Sequence, residues 1–236
     1  MHSSVAKLYE VFKPYRLGDD FTGCQHCVSV EDSDKLASKP MQELSVDDLN
    51  RFAFKSMSTW GAERHFKHFL PRLFELLLSE YSNFNFPEVL IGKLRYAKWD
   101  DWPDNERNAV TNFLQYLWSY HLAIPPEFDG DDRVATLLNA LSETTNSFHP
   151  YFELFLAQDS SAPAHHIREM ISNFADNIMT GTRYDFNLTR SDEFMAWLVS
   201  DDVICYLRRY DSDMLARSPY LFNQLDGMRS ALATRN

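Results

Sequence analysis

The chain has 236 residues, of which 44% are hydrophobic and 14% aromatic, and it contains only 7 glycines. This composition excludes a largely disordered chain, and the scarcity of turn-forming residues argues against a β-sandwich or β-barrel. The formal net charge of −11 argues against DNA, RNA and anionic membranes as partners, because phosphate binding requires clustered lysine and arginine.

The first elements along the chain are predicted to be short helices. Apolar residues recur at helical spacing over 5–12, which indicates the first helix. Ser29 is followed by Asp32, and Ser45 by Asp48, three residues later in each case. This spacing is typical of residues that cap the start of a helix, so a helix is expected after each serine.

A longer apolar stripe predicts a helix over 66–77, and Pro71 interrupts this stripe. Either the helix kinks at Pro71, or a turn ends before Pro71 and a new helix begins with it; we expect the second, because proline is favoured at the first helical position. Pro87 and Pro103 mark the expected starts of two further helices for the same reason.

The clearest break in the pattern is formed by Pro125-Pro126 and Asp129-Gly130, which predict a hinge. Beyond it, helices are expected near 131–141, 150–156, 167–178, 191–199, 203–210 and 219–231, with a short extended segment at 183–188. The predicted fold class is all-α, an irregular multi-helix bundle or non-repetitive helical array, since no repeating unit is evident. The chain is expected to form one helical domain, 1–236, or two packed lobes, 1–124 and 131–236.

The sequence predicts a cytoplasmic protein. No apolar run approaches the roughly 20 residues that span a bilayer, and the first residues do not resemble a signal peptide or a lipidation site. Three cysteines are an odd number for a disulfide framework and fit a reducing compartment. One of them, Cys205, is expected to be a small buried residue of a helix.

The segment Cys24-Gln25-His26-Cys27 is the pattern that points most directly to chemistry. A two-residue gap allows two thiolates to bind one zinc ion, and His65 and His68 lie on adjacent helical turns, where they would supply the other ligands. The sequence therefore predicts a structural zinc site formed by Cys24, Cys27, His65 and His68. Two alternatives stay open: a redox-active dithiol, since the Cys-x-His-Cys order resembles the thioredoxin-like DsbA oxidoreductases, or two reduced cysteines that shape a loop.

Aromatic and acidic residues alternate in the segment 96–102, a composition typical of interfaces in which aromatic anchors are ringed by charge. The residues predicted to contact a protein partner are Trp99, Asp100, Asp101 and Trp102, together with Asp129, Asp131 and Asp132 of the hinge. The alternative is that the tryptophans fill gaps between helices and that the acids stabilise helix starts.

Five short motifs lie between Phe21 and Leu77: Gly23-Cys24-Gln25-His26-Cys27, Asp48-Leu49-Asn50-Arg51, Ala53-Phe54-Lys55, Thr59-Trp60-Gly61 and His68-Phe69-Leu70-Pro71-Arg72. Together they resemble a group of uncharacterised bacterial proteins. The resemblance implies a bacterial source and brings no assigned activity.

No phosphate-binding glycine loop, nucleophile elbow or zinc-protease motif is present, so an enzyme is not favoured. The leading hypothesis is a cytoplasmic protein-binding module, immunity-like or antitoxin-like, that masks a basic toxin through charge complementarity. One alternative is a zinc-stabilised or thiol-based sensor that uses Cys24 and Cys27. The other is a hydrolase with dispersed Asp and His residues near the hinge at 125–132.

Overall fold

The computed structural model describes residues 2–81, 87–128, 131–180, 191–210 and 219–235. Within these ranges the fold is all-α, a non-repetitive helical array without strands or sheet, which confirms the predicted fold class. None of the helices in the described ranges combines the length and hydropathy needed to cross a bilayer. The predicted extended segment at 183–188 lies outside the described residues.

Twelve α-helices are assigned in the described residues. In the first half they are α1 (Ser3–Phe12), α2 (Val30–Ser38), α3 (Val46–Lys55), α4 (Glu63–Ser79), α5 (Pro87–Tyr96) and α6 (Asp104–Ala123). Short 3-10 turns lie at Met41–Glu43 and Trp99–Asp101. The second half contains α7 (Arg133–Thr144), α8 (His149–Leu156), α9 (Ala162–Thr180), α10 (Ser191–Leu198), α11 (Asp201–Tyr210) and α12 (Pro219–Arg235).

The chain divides into two compact units, an N-terminal unit, Met1–Tyr116, and a C-terminal unit, Leu117–Asn236. The division falls inside α6, and the lobes and hinge predicted around 125–130 stay a prediction. The units differ in charge: the N-terminal unit has 14 basic and 17 acidic residues, and the C-terminal unit has 9 and 17, giving net charges of −3 and −8. All eight lysines belong to the N-terminal unit.

Both predicted helix caps are confirmed. The Ser29 hydroxyl accepts a hydrogen bond from the backbone N–H of Asp32, whose carboxylate accepts one from the Ser29 N–H. Ser45 and Asp48 form the same reciprocal pair at the start of α3. Each cap satisfies N–H groups that the first helical turn leaves without a partner.

The prediction for Pro71 was wrong, because α4 continues through it from Glu63 to Ser79. Proline lacks the N–H that would bond to the Lys67 carbonyl one turn earlier, and this costs about 3 kcal/mol in a helix interior. The neighbouring Phe69, Leu70 and Leu73 are fully buried in the core of the N-terminal unit. Burial stabilises each such side chain by about 1.5–3 kcal/mol, which offsets the cost of the proline.

The C-terminal unit has an aromatic core of its own. The rings of Phe152 and Trp197 stack with centroids 4.3 Å apart, and Phe155 packs edge-on against Trp197. The prediction that Cys205 is buried was wrong: its side chain is exposed. The reason is the orientation of α11, which turns its apolar stripe, Val203, Ile204, Tyr206 and Leu207, toward the core.

Candidate binding cleft

A cleft of about 610 Å³ lies in the N-terminal unit, where the start of α4 meets the connection between α5 and α6. Its lining residues are Met57, Gly61, Ala62, Glu63, Lys67, Tyr96, Ala97, Lys98, Asp101, Trp102 and Pro103. The volume is typical of ligand sites, but small-molecule sites are mostly apolar, and four of these residues carry charged side chains. The lining therefore favours a charged ligand or a peptide segment.

The backbone around the cleft is strained. Across the described part of the chain, the residues with positive φ are Met57 at 62°, Gly61 at 68° and Lys98 at 49°, and all three line the cleft. The left-handed conformation costs a residue other than glycine roughly 1–2 kcal/mol. Such strain persists only where the surrounding structure imposes it, and it is concentrated at functional sites.

Hydrogen bonds hold the segment 56–61 in this strained shape. The N–H of Met57 donates to the carbonyl of Trp60 (3.0 Å), and the N–H of Gly61 donates to the carbonyl of Thr22 (3.0 Å). The buried ring of Trp60 donates through Nε1 to the Ser33 hydroxyl (3.0 Å). One edge of the cleft is thus fixed by contacts to distant parts of the unit.

Gly61 is required at its position for two reasons. Its φ of 68° favours glycine, and an added Cβ would lie 3.1 Å from the His65 side chain. His65 cannot readily give way, because its Nδ1 accepts the N–H of Ala62 (2.9 Å) and so caps the start of α4.

The buried lysine Lys67 organises the floor of the cleft. Its ammonium lies 2.9 Å from Glu63 Oε1, 3.0 Å from Glu106 Oε2 and 3.3 Å from the Tyr15 hydroxyl. It also lies 4.2 Å from the ring centroid of Trp102, which is within the range of a cation–π interaction. The Tyr15 hydroxyl in turn donates to Glu106 Oε1 (2.6 Å), so Glu106 is bonded through both oxygens.

This network raises the pKa values of Lys67 and Tyr15, so both groups keep their protons near neutral pH. Burial alone would lower the pKa of Lys67, but its hydrogen bonds to Glu63 and Glu106 outweigh that effect and hold the pKa above its ordinary value. Burial and the bond to Glu106 raise the pKa of Tyr15. The Lys67 amine is therefore a fixed cation near neutral pH, suited to binding and not to nucleophilic attack.

The outer edge of the cleft combines an exposed aromatic ring with exposed charged side chains. Tyr96 exposes 60% of its surface, and Lys98 and Asp101 are also exposed. Beneath this edge, the buried Lys93 donates to the Ser56 carbonyl (3.0 Å) and lies 5.5 Å from the Tyr96 ring centroid. Burial lowers the pKa of Lys93.

Trp99 and Trp102, which are predicted to contact a partner, are buried, and this favours the alternative that they fill gaps between helices. They are 7% and 4% exposed, and Trp102 donates through Nε1 to the Ala97 carbonyl (3.2 Å). The physical reason is the size of the indole ring, which stabilises the unit most when it fills the space between helices. Asp100 and Asp101 of the same turn are exposed.

The acids predicted at the hinge lie in three different situations. Asp129 is outside the described residues, and Asp132 is exposed. Asp131 is buried, which corrects the expectation of a contact residue. Its carboxylate accepts from the N–H of Glu127 (3.1 Å), the N–H of Arg133 (3.1 Å) and the Arg133 guanidinium (2.6 Å), so it stabilises the loop.

The structure does not bring the four predicted zinc ligands together. No group of three or more His, Cys, Asp and Glu side chains is placed to hold one metal ion anywhere in the described residues. His65 caps α4, and His68 Nδ1 is bonded to the Tyr15 carbonyl (3.0 Å). Cys24 is exposed and Cys27 partly exposed, both as free thiols. The zinc site stays a prediction.

Sequence reasoning missed Lys67, Glu106, Tyr15 and Tyr96. The one local signal was the spacing of Glu63 and Lys67, four residues apart on a helix, which is typical of an ion pair. The contact between Tyr15 and Glu106 joins residues 91 positions apart, and no local pattern reveals it.

No family model, curated protein or solved structure matches the chain. The resemblance of the segment 21–77 to uncharacterised bacterial proteins therefore stays a prediction.

Proposed function

We propose that the protein is a protein-binding module whose cleft in the N-terminal unit receives a basic segment of a partner. The observation that carries the proposal is the lining of the cleft, in which four charged side chains and an exposed tyrosine ring stand beside apolar residues such as Met57 and Pro103.

Charge favours a basic partner. The charged side chains that line the cleft balance, with the carboxylates of Glu63 and Asp101 against the ammonium groups of Lys67 and Lys98. Lys67 is already neutralised by its partners, which leaves Asp101 at the edge to receive a new cation. The net charge of −11 would also speed the approach of a basic protein.

The strained but well-bonded backbone supports affinity. Met57 and Gly61 are held by hydrogen bonds before any partner arrives, so binding does not have to order this edge of the cleft. A lysine or arginine of the partner would lie against the Tyr96 ring, with its charged end toward Asp101.

The more specific form of this proposal is a cytoplasmic immunity-like or antitoxin-like protein that masks a basic toxin, and it treats the chain as a binding protein without catalytic activity. Masking a toxin requires slow dissociation, which an aromatic contact with Tyr96 supports more than surface charge does.

The test uses two labelled peptides of equal length, one rich in arginine with a single tryptophan and the other its charge-reversed counterpart, with binding followed by fluorescence anisotropy. We expect Tyr96→Ala to weaken binding of the basic peptide about tenfold and Asp101→Asn about fivefold. Both residues are exposed, and circular dichroism should show an unchanged fold.

Asp34→Asn is the matched control, because it removes one exposed carboxylate that does not line the cleft. It should change the affinity less than about twofold. Equal losses for Asp34→Asn and Asp101→Asn would show attraction by net charge alone, and equal binding of both peptides would contradict the proposed specificity.

A further inference from the structure

Cys24 and Cys27 lie at the two ends of a closed turn. The backbone carbonyl of Cys24 accepts hydrogen bonds from the N–H of Cys27 (2.8 Å) and of Val28 (2.8 Å). A turn closed from residue i to residue i+3 keeps its end Cα atoms within about 7 Å. Disulfides join Cα atoms about 4.4–6.8 Å apart, so the backbone already has a spacing that suits a disulfide.

The turn is fixed on both sides. The N–H of Cys24 donates to the Thr59 carbonyl (2.7 Å), and the Arg51 guanidinium donates to the Cys27 carbonyl (2.7 Å). Gly23, just before the turn, has no space for a side chain, because an added Cβ would lie 2.5 Å from Val28 Cβ. The backbone at the two cysteines is therefore held in this turn by the fold.

Both thiols are accessible from solvent. Cys24 is exposed, Cys27 is partly exposed, and neither is bonded to another cysteine. Oxidation of cysteine depends on access and on a second thiol close enough to trap the oxidised sulfur. The turn meets both conditions.

We propose that Cys24 and Cys27 form a reversible disulfide when the protein meets a peroxide. The Cys24 thiolate attacks one peroxide oxygen, the O–O bond breaks, and the products are a Cys24 sulfenic acid and water or an alcohol. The Cys27 thiolate then attacks the Cys24 sulfur, the S–S bond forms, and the hydroxyl group leaves as water after taking a proton. The two thiols lose two electrons and two protons, which reduce the peroxide.

A disulfide between Cys24 and Cys27 would lie near the cleft. Cys24 is bonded to Thr59, and Thr22 accepts the N–H of Gly61, a cleft residue. The inference is independent of the proposed function, since its test measures thiol chemistry and not partner binding.

The experiment uses the full-length protein with Cys205→Ser, which removes the third, exposed thiol. After treatment with hydrogen peroxide, intact-mass measurement should show the loss of two hydrogens and thiol labelling should fall to zero, at a rate independent of protein concentration. A dithiol reductant should restore both thiols. The fold should be retained, with circular dichroism and the summed fluorescence of the five tryptophans as the readouts.

Cys24→Ser and Cys27→Ser in the same background are the controls. Each leaves one thiol, which should gain oxygen or form dimers and should not show the loss of two hydrogens within the monomer. Addition of oxygen to the paired protein, or dimers as its main product, would overturn the proposal. Stoichiometric zinc in the purified reduced protein that protects both thiols from peroxide would also overturn it, in favour of a metal site.

Discussion

In the N-terminal unit, the buried ammonium of Lys67 lies between two carboxylates, and its hydrogen bonds to Glu63 and Glu106 keep it charged. In the C-terminal unit, two buried histidines, His121 and His166, lie near Arg133. Burial, the nearby Arg133 and the nearby His166 lower the pKa of His121 to about 4. Lys67 is therefore buried as a charge together with its partners, whereas His121 and His166 are buried as groups that give up their charge.

The difference follows from the ordinary pKa values of the groups. Releasing the proton of a lysine near neutral pH costs about 1.4 kcal/mol for each pH unit below its pKa, whereas histidine titrates close to neutrality and loses its proton at little cost. Lys67 therefore keeps its charge because the fold supplies carboxylate partners, while a buried histidine can remain neutral.

The largest effect is expected from Lys67→Met, which leaves the buried Glu106 without its cation. We expect the free energy of unfolding to fall by about 3–5 kcal/mol at neutral pH, measured by urea denaturation. Lys7→Met is the control, because the pair Lys7–Glu10 is more than half exposed and contributes little. Equal effects of the two variants would remove the distinction between buried and surface pairs.

The second effect is on the pH dependence of stability. The folded-state pKa of His121 lies below its unfolded value near 6.5, so the unfolded chain binds the proton more readily. The contribution of neutral, buried His121 to the free energy of unfolding is fully present above about pH 6.5. It falls by about 3 kcal/mol as the pH drops toward 4. Burial lowers the pKa of His65, His68 and His166 as well, which adds to the same slope.

Urea denaturation of His121→Leu between pH 5 and 7 isolates this contribution. The slope should decrease by up to about 1.4 kcal/mol per pH unit, which corresponds to one proton. His149→Leu, which replaces an exposed histidine, is the matched control for the substitution itself. An unchanged slope in His121→Leu would show that this histidine is not held neutral.

The smallest effect is expected from Glu63→Gln, which removes the more exposed of the two carboxylates that contact Lys67. Half of the Glu63 side chain is exposed, so solvent screens this ion pair. We expect a loss of about 0.5–1 kcal/mol, because Lys67 keeps its buried partner Glu106. A loss as large as that of Lys67→Met would mean that the two carboxylates stabilise the lysine equally.

Local patterns in the sequence were sufficient to predict the helices and their caps. Ser29 and Ser45 follow a spacing that depends only on the geometry of a first helical turn, so their roles could be read without knowledge of the fold. The prediction for Pro71 was wrong because the cost of a proline inside a helix is offset by burial of its neighbours. The depth of that burial is set by the tertiary structure.

The cleft could not be predicted from local patterns. Met57 and Lys98 have left-handed backbones that their residue types do not favour, and only the surrounding fold imposes this conformation. Tryptophan is a residue type enriched at interfaces, but Trp102 fills the space beside Lys67. A site built from contacts between distant segments leaves little trace in the order of residues along the chain.

The position of Pro71 in α4 has a consequence for the cleft. The carbonyl that Pro71 deprives of an intrahelical donor belongs to Lys67, the residue whose side chain organises the cleft floor. This turn of α4 therefore has one backbone hydrogen bond fewer than a regular helix. A ligand bound at the Lys67 ammonium would act on the same turn at which that hydrogen bond is missing.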